Sequence, residues 1–475
     1  MLFVIDFRQR RRYALPCYSA TADTTEVMNR PAAPPFRADH VGSFLRPDAL
    51  LTAREEFKKD NVDHVALRNA EDRVIRDIVR FQKELGLHGI TDGEFRRTYL
   101  QVDFLEKLSS VKTKGGITVS FRSARGAVDF SPPDMPIRGK IRHIQPIQRD
   151  DFLFLQSITT RTAKVCIPSP TVLHFRGGRA AISEQAYPDL DQFYANVATA
   201  YRAELKSLAD AGCRYVQLDD TNLAYLCDEK MREGARGRGD DPDALPRRYA
   251  QLINAEIRDR PSDMRVCVHL CRGNFKSAWA SAGGYEPVAE VLFNELNVDG
   301  YFLEYNDARS GNFAPLRFVP RGKIVVLGLV TTKAGQLESK DDLKRRISLA
   351  AQRVPLEQLC PSPQCGFAST VHGNKIARDS QAAKAQIRPN CASLTRSVRA
   401  IVETRSHHFD NFEIGSSTEP GPYGTPSFTT RERNVLRVAP SLKKNTKQEA
   451  AYAGARGSRS LSTVNIAATN GIAMT

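Results

Sequence analysis

His269 and Cys271 stand two residues apart in the apolar run RVCVHLC at 265–271. On a β-strand, side chains two apart project from one face, so an imidazole and a thiol would point together. Glu304 sits near the end of GYFLEYN at 300–306, and Cys365 near the end of QLCPSPQCGF at 358–367. Other apolar runs end in acids: Asp92 and Glu94 in GITDGEF at 89–95, Asp219 and Asp220 in RYVQLDD at 214–220. An H-x-C pair alone is weak evidence, because a free Cys on an apolar strand is more often a core residue. Two thiolates, an imidazole and a carboxylate at equivalent positions form a complete tetrahedral set of the kind zinc prefers. His269, Cys271, Glu304 and Cys365 are therefore the expected ligands of one Zn2+. The neighbouring Cys166, Cys213, Cys227 and Cys267 read as small buried hydrophobes.

Positioning such a set requires strands whose ends converge. Besides the runs above, ADHVGS (38–43), KVCIPSP (164–170) and KIVVLGLV (323–330) have strand character, which makes eight. Helical periods separate them. Leu67, Val74, Ile78 and Phe81 recur within 66–85 before Gly86, and Leu343, Ile347 and Ala350 share a stripe within 338–353. Residues 190–211 read similarly, and Leu394, Val398, Ile401 and Val402 suggest a final helix over 391–405. Alternating strands and helices predict an α/β fold, a (β/α)8 TIM barrel over residues 36–405, with its chemistry at the C-terminal mouth. Residues 112–150 form an insertion in which GGITVSFRSARG alternates like a hairpin. Residues 1–35 are expected to be a disordered extension, and the polar residues 406–475 a disordered tail.

Composition narrows the class. The chain is 41% hydrophobic and 26% charged, within the globular range. Its formal charge of +15 is diffuse: residues 1–35 carry five Arg against three acids, and residues 386–475 twelve Lys and Arg against six. Eight of the fifteen charges thus lie at the ends, and no basic face argues for nucleic acid. No apolar run approaches the ~18 residues of a membrane span. Nine cysteines are too few for a disulfide framework in a chain of 475 residues and suit a reducing, cytoplasmic setting. Residues 1–27 partly fit a mitochondrial transit peptide, although Asp6, Asp23 and Glu26 run against it.

The motifs HVGSFLRP (40–47), TDGEFRR (91–97), CRYVQLDDTNLAYLCD (213–228), VCVHLCRGN (266–274), FLEYNDARSG (302–311), VVLGLVTTKAGQLE (325–338) and CPSPQCGFAST (360–370) resemble one family. It is the cobalamin-independent methionine synthases, through their catalytic C-terminal barrel and the stand-alone relatives called methionine synthase II. The resemblance spans residues 36–385. It implies zinc held by His269, Cys271, Glu304 and Cys365, and homocysteine bound by Ser43, Glu94 and Asp219. It also implies methyl transfer from methyltetrahydrofolate to homocysteine, with methionine as product. Two departures bear on the donor. The full-length synthases have an additional N-terminal barrel that helps bind polyglutamylated folate, for which this chain has no room. The family's proton-donating His has no counterpart, and Lys333 stands near its place. A related zinc site serves epoxide–thiol transferases, so alkylation of another thiol is the alternative enzyme. A barrel with purely structural zinc is the alternative of a different class. The cysteine set argues against the zinc-free uroporphyrinogen decarboxylase type.

Overall fold

The structure, a computed structural model, describes residues 33–386 except 117, 124 and 125. Strands β1 (Gly89–Ile90), β2 (Val119–Ser123), β3 (Gly126–Phe130), β4 (Thr162–Ala163) and β5 (Val165–Pro168) come first. They are followed by β6 (Tyr215–Asp220), β7 (Arg265–Leu270), β8 (Gly300–Glu304), β9 (Ile324–Val330) and β10 (Leu359–Pro363). Strands β5 to β10 lie side by side in chain order as a parallel sheet. Strand β4, one residue before β5, pairs in parallel with β1 and extends the same run. Helices Leu190–Asp210, Leu245–Ile257, Glu286–Asn294 and Lys340–Ala351 return the chain between the later strands. This is the βα-barrel order expected.

Alternation along each strand sorts the core into two. Val216, Leu218, Val268, Leu303 and Leu327 join the large core under the helices. Tyr215, Cys267, Phe302, Val326 and Cys360 form a separate inner cluster with Phe36 and Val41. Because the period is two, Asp219, His269 and Glu304 share the inner face with that cluster. Asp220 points the other way, where it accepts from Thr171 Oγ1 and the Leu223 N–H at 2.6 and 2.7 Å. The helices follow local rules: His64–Glu84 is capped by Asp63, which accepts from the Ala66 N–H. Val74, Ile75, Ile78 and Val79 form its buried stripe, each worth about 1.5–3 kcal/mol of burial.

The first expected strand, 38–43, is corrected. Those residues are buried but pair in no ladder, so the sheet does not close between β10 and β1. The segment is held by single bonds instead: the Phe44 N–H donates to Gly93 O at 3.2 Å, and the Phe367 N–H to Ser43 O at 3.0 Å. Side chains take the rest, with Gln217 Nε2 and the Cys166 thiol donating to Val41 O, and Thr91 Oγ1 to Gly42 O. Gly42, at φ 130°, is required here, because a Cβ would lie 2.6 Å from the Cys166 sulfur.

Within the insertion, β2 and β3 form the expected antiparallel hairpin, with Val119 opposite Phe130. It lies against the loop after β7: Arg122 and Trp279 exchange backbone bonds of 2.7 and 2.9 Å, and Phe130 stacks on Phe275 at 4.0 Å. The expected helix at 391–405, the tail and residues 1–32 lie outside the described residues. No helix among those described is long and apolar enough to cross a membrane.

Candidate metal centre

Strand β7 delivers His269, and Cys271 follows one residue past its end, where its N–H still bonds Asp220 O at 2.7 Å. Glu304 ends β8, and Cys365 follows β10. The four side chains are buried, and their ligating atoms all lie within 4.8 Å of one another. The two sulfurs are 3.5 Å apart, against ~3.8 Å for two thiolates about a tetrahedral zinc. Among the described residues the ring nitrogens of His269 have no oxygen or nitrogen partner, and the ring faces the Cys365 sulfur. Glu304 is aimed from behind: the Arg272 N–H donates to Oε1 at 3.0 Å and Gln364 Nε2 to Oε2 at 2.9 Å. Tyr285 Oη bridges the backbone of Glu304, accepting its N–H and donating to its carbonyl.

The electrostatics show what these groups lack. The Cys271 thiol donates to Cys365, which holds Cys365 well below the usual thiol range and drives Cys271 above it. Burial opposes charge on His269, yet Cys365 with Asp219 and Glu304 pushes the ring up to about 9. Burial, then Cys365, raises Glu304. Around a divalent cation the nitrogen, sulfurs and oxygen of this set would all be deprotonated. The donor set fits zinc.

Next to this centre, Ser43, Glu94 and Asp219 line one cavity with His269, Cys271 and Cys365; its volume is about 470 Å³. Glu94 Oε2 and Asp219 Oδ2 are buried without partners. Burial raises Glu94 to about 8, with Arg97 and Arg46 pulling down against Asp219. Burial also raises Asp219 to about 6, with His269 and Gln217 opposing. Glu94 has φ 60°, a conformation a non-glycine residue holds only when its surroundings impose it. Arg46 imposes it, donating to Glu94 O, Arg97 O, Ala368 O and Thr370 O. Ser43 Oγ accepts from the Ala368 N–H, and Gly366 leaves that hydroxyl room, since a Cβ there would lie 1.9 Å away.

Lys333 is placed differently. Its ammonium lies 3.0 Å from Asn274 Oδ1 and 3.4 Å from Gly273 O, beside the cavity wall. Sequence reasoning assigned no part to Arg46, Gln217, Gln364 or Arg272. Gln364, adjacent to Cys365, and Arg272, adjacent to Cys271, were the ones a reading of ligand neighbours could have found.

Comparison with known proteins agrees with this architecture. Residues 36–384 match the family described as cobalamin-independent synthase, catalytic domain. The chain is 45% identical over 357 residues to the uncharacterized protein YxjH of Bacillus subtilis, covering 74% of this chain and 92% of that one. A 5-methyltetrahydropteroyltriglutamate–homocysteine methyltransferase of Bacillus velezensis is 26% identical over 71% of this chain, which spans 40% of that enzyme. A crystal structure of a putative vitamin-B12 independent methionine synthase from Listeria monocytogenes superposes with a TM-score of 0.61 at 38% identity, over 78% of this chain and 99% of that one. A parallel βα sheet, an inner mouth of His, Cys and Glu, and a match over most of the chain converge: the protein belongs to the cobalamin-independent methionine synthase family, through its catalytic domain.

Proposed function

We propose that this chain is a zinc-dependent S-methyltransferase that converts homocysteine to methionine. Carrying the reading is one juxtaposition. A complete set of zinc donors opens onto a cavity that also presents two buried carboxylate oxygens without partners. Zinc at His269, Cys271, Glu304 and Cys365 would lower the pKa of a thiol that in water sits near ~8.5. The chain's own groups do the rest. Glu94 and Asp219 receive the substrate ammonium, and Ser43 with its neighbouring backbone holds the carboxylate. The substrate sulfur then lies in line with the methyl carbon of the donor; the new S–C bond forms as the donor leaves with the old bonding pair. The donor is methyltetrahydrofolate-like, and Lys333 is the candidate to protonate it as it departs. The protein acts in the cytoplasm.

A structural zinc would need no cavity at its sulfurs, whereas Cys271 and Cys365 both line one. Purified full-length protein should contain about one zinc per chain, bind homocysteine by calorimetry, and form methionine with a member of a methyl-donor panel. Product from an epoxide and a thiol, with none from any methyl donor, would move the assignment to the related thiol alkylation. Lys333→Met separates chemistry from support. Loss of a general acid costs about 100-fold or more in kcat with zinc and homocysteine binding unchanged.

A further inference from the structure

Strand β6 carries a polar side chain that neither the metal set nor the amino-acid contacts account for. Gln217 is fully buried, two residues before Asp219, and alternation puts both side chains on one face. Its Nε2 donates twice, to Val41 O and to Asp219 Oδ1, each at 2.7 Å. A carbonyl and a carboxylate need a donor between them, so the nitrogen end of the amide is the one turned their way. Its oxygen is buried without a hydrogen-bond partner among the described residues, so both polar bonds of this side chain run through one nitrogen.

Those two acceptors belong to the two halves of the amino-acid pocket. Asp219 gives Oδ1 to Gln217 and keeps Oδ2 buried without a partner, so the amide decides which oxygen is left for an ammonium. Val41 lies two residues before Ser43, the contact assigned to the substrate carboxylate. Val41, Ser43 and Asp219 line one cavity, and Gln217 is not among the residues that line it. Backbone ladders fix the spacing of neighbouring strands, but residues 38–43 join none. Tyr215 anchors the start of that segment to β6 through Asp39, at 2.7 Å, and Ser43 is tied to Phe367 and Ala368 after β10. Between those ties the link from β6 is Gln217; the Cys166 thiol that shares Val41 O, at 3.2 Å, is a weak donor from β5.

We propose that Gln217 is a positioning residue that sets the specificity of the pocket. By holding Asp219 and Val41 on one nitrogen, it fixes the spacing between the ammonium and carboxylate contacts. A ligand bearing both groups on one carbon then meets both contacts at once, and a ligand lacking either group loses the advantage. The inference rests on the reading of Ser43, Glu94 and Asp219 as amino-acid contacts. It goes beyond that reading by naming the group that sets their separation without touching the ligand.

Zinc-loaded protein is titrated calorimetrically with methionine and with two analogues: methylthiobutanoate, which lacks the ammonium, and methylthiopropylamine, which lacks the carboxylate. The wild-type protein should prefer methionine to both. Q217M keeps the length of the side chain and removes both donations. Methionine should then weaken by about 10–100-fold, the worth of one or two hydrogen bonds, while each analogue, free to follow its single contact, weakens by less than about threefold. A glutamine that merely supports the fold would move all three ligands together. If Q217M does not fold, Q217N replaces it; its amide is one methylene shorter and cannot reach both acceptors, so the same ranking is expected. Equal weakening of all three ligands, or a wild-type preference that persists undiminished in the variant, overturns the inference alone. A wild-type protein that binds all three alike overturns the amino-acid reading and the inference with it.

Discussion

The two halves of the cavity mouth are built on different terms. On the side of the His269, Cys271, Glu304 and Cys365 set, His269 and Glu304 sit at or near the ends of laddered strands, and each Glu304 oxygen already accepts a hydrogen bond, from the Arg272 N–H and from Gln364 Nε2. On the amino-acid side, Ser43 rides a segment that joins no ladder and Glu94 sits at positive φ. There Glu94 and Asp219 each keep an oxygen without a partner. A resident ion calls for donors fixed in advance. A substrate that comes and goes calls for buried charge left unsatisfied until it arrives, and for a looser frame.

That contrast can be broken most decisively on the metal side. Cys271→Ser and Cys365→Ser should each weaken zinc binding by ~100-fold or more while circular dichroism stays native, with elemental analysis after dialysis as the check. Full zinc in both variants would undo the ligand assignment. Gln364→Ala removes only the amide behind Glu304 and should cost about 10–100-fold in zinc affinity. On the other side, Asp219→Asn should leave zinc in place and weaken homocysteine by ~10–100-fold, as befits a charged hydrogen bond. Undiminished calorimetric affinity would mean that other groups hold the ammonium.

Glu94 sharpens the comparison through pH. Its carboxyl is raised to about 8, so in the free folded protein it is protonated at lower pH. Its contribution to stability is therefore fully present below the unfolded value near 4.5 and is lost as pH rises through about 8. Ammonium binding needs the charged form and gains over the same window. Affinity for methionine, which has no thiol to titrate, should climb from pH 6 to 8 by at most about tenfold per unit, and E94Q should flatten the climb. A wild-type profile as flat as that of E94Q would remove Glu94 from the pocket. The smallest effect is expected from the ends. A chain trimmed to residues 28–405 should match the whole chain in zinc content and activity at low and high salt. A loss that salt abolishes would show instead that Lys443, Lys444 and Lys447 meet an anionic donor by exposed charge.

Much of the metal side was legible in the sequence, because strand alternation is a local rule. Once 265–271 is a strand, His269 must share its inner face with Cys267; Glu304 ends the neighbouring β8, and Cys365 follows β10, with β9 between. Segment 38–43 was misread for the same reason. Its apolar, extended residues look like a strand, but its bonding partners are Gln217, Cys166 and Thr91, chosen by packing and invisible to a local pattern. The roles of Arg46 and Gln364 were hidden likewise, since each depends on which distant carbonyl or carboxylate the fold brings within reach. Tertiary contact, rather than propensity, decides such positions.

One feature of the insertion turns into an instrument. Trp279 is the sole tryptophan of the chain and exchanges both of its backbone bonds with Arg122 of the hairpin. Its indole lies under the Arg309 guanidinium, 4.7 Å from the ring centroid. Any swing of the hairpin away from the cavity must therefore change the surroundings of a single fluorophore. Intrinsic emission, excited selectively at the indole band, would report any such movement, with no label added and no second tryptophan to confuse the signal.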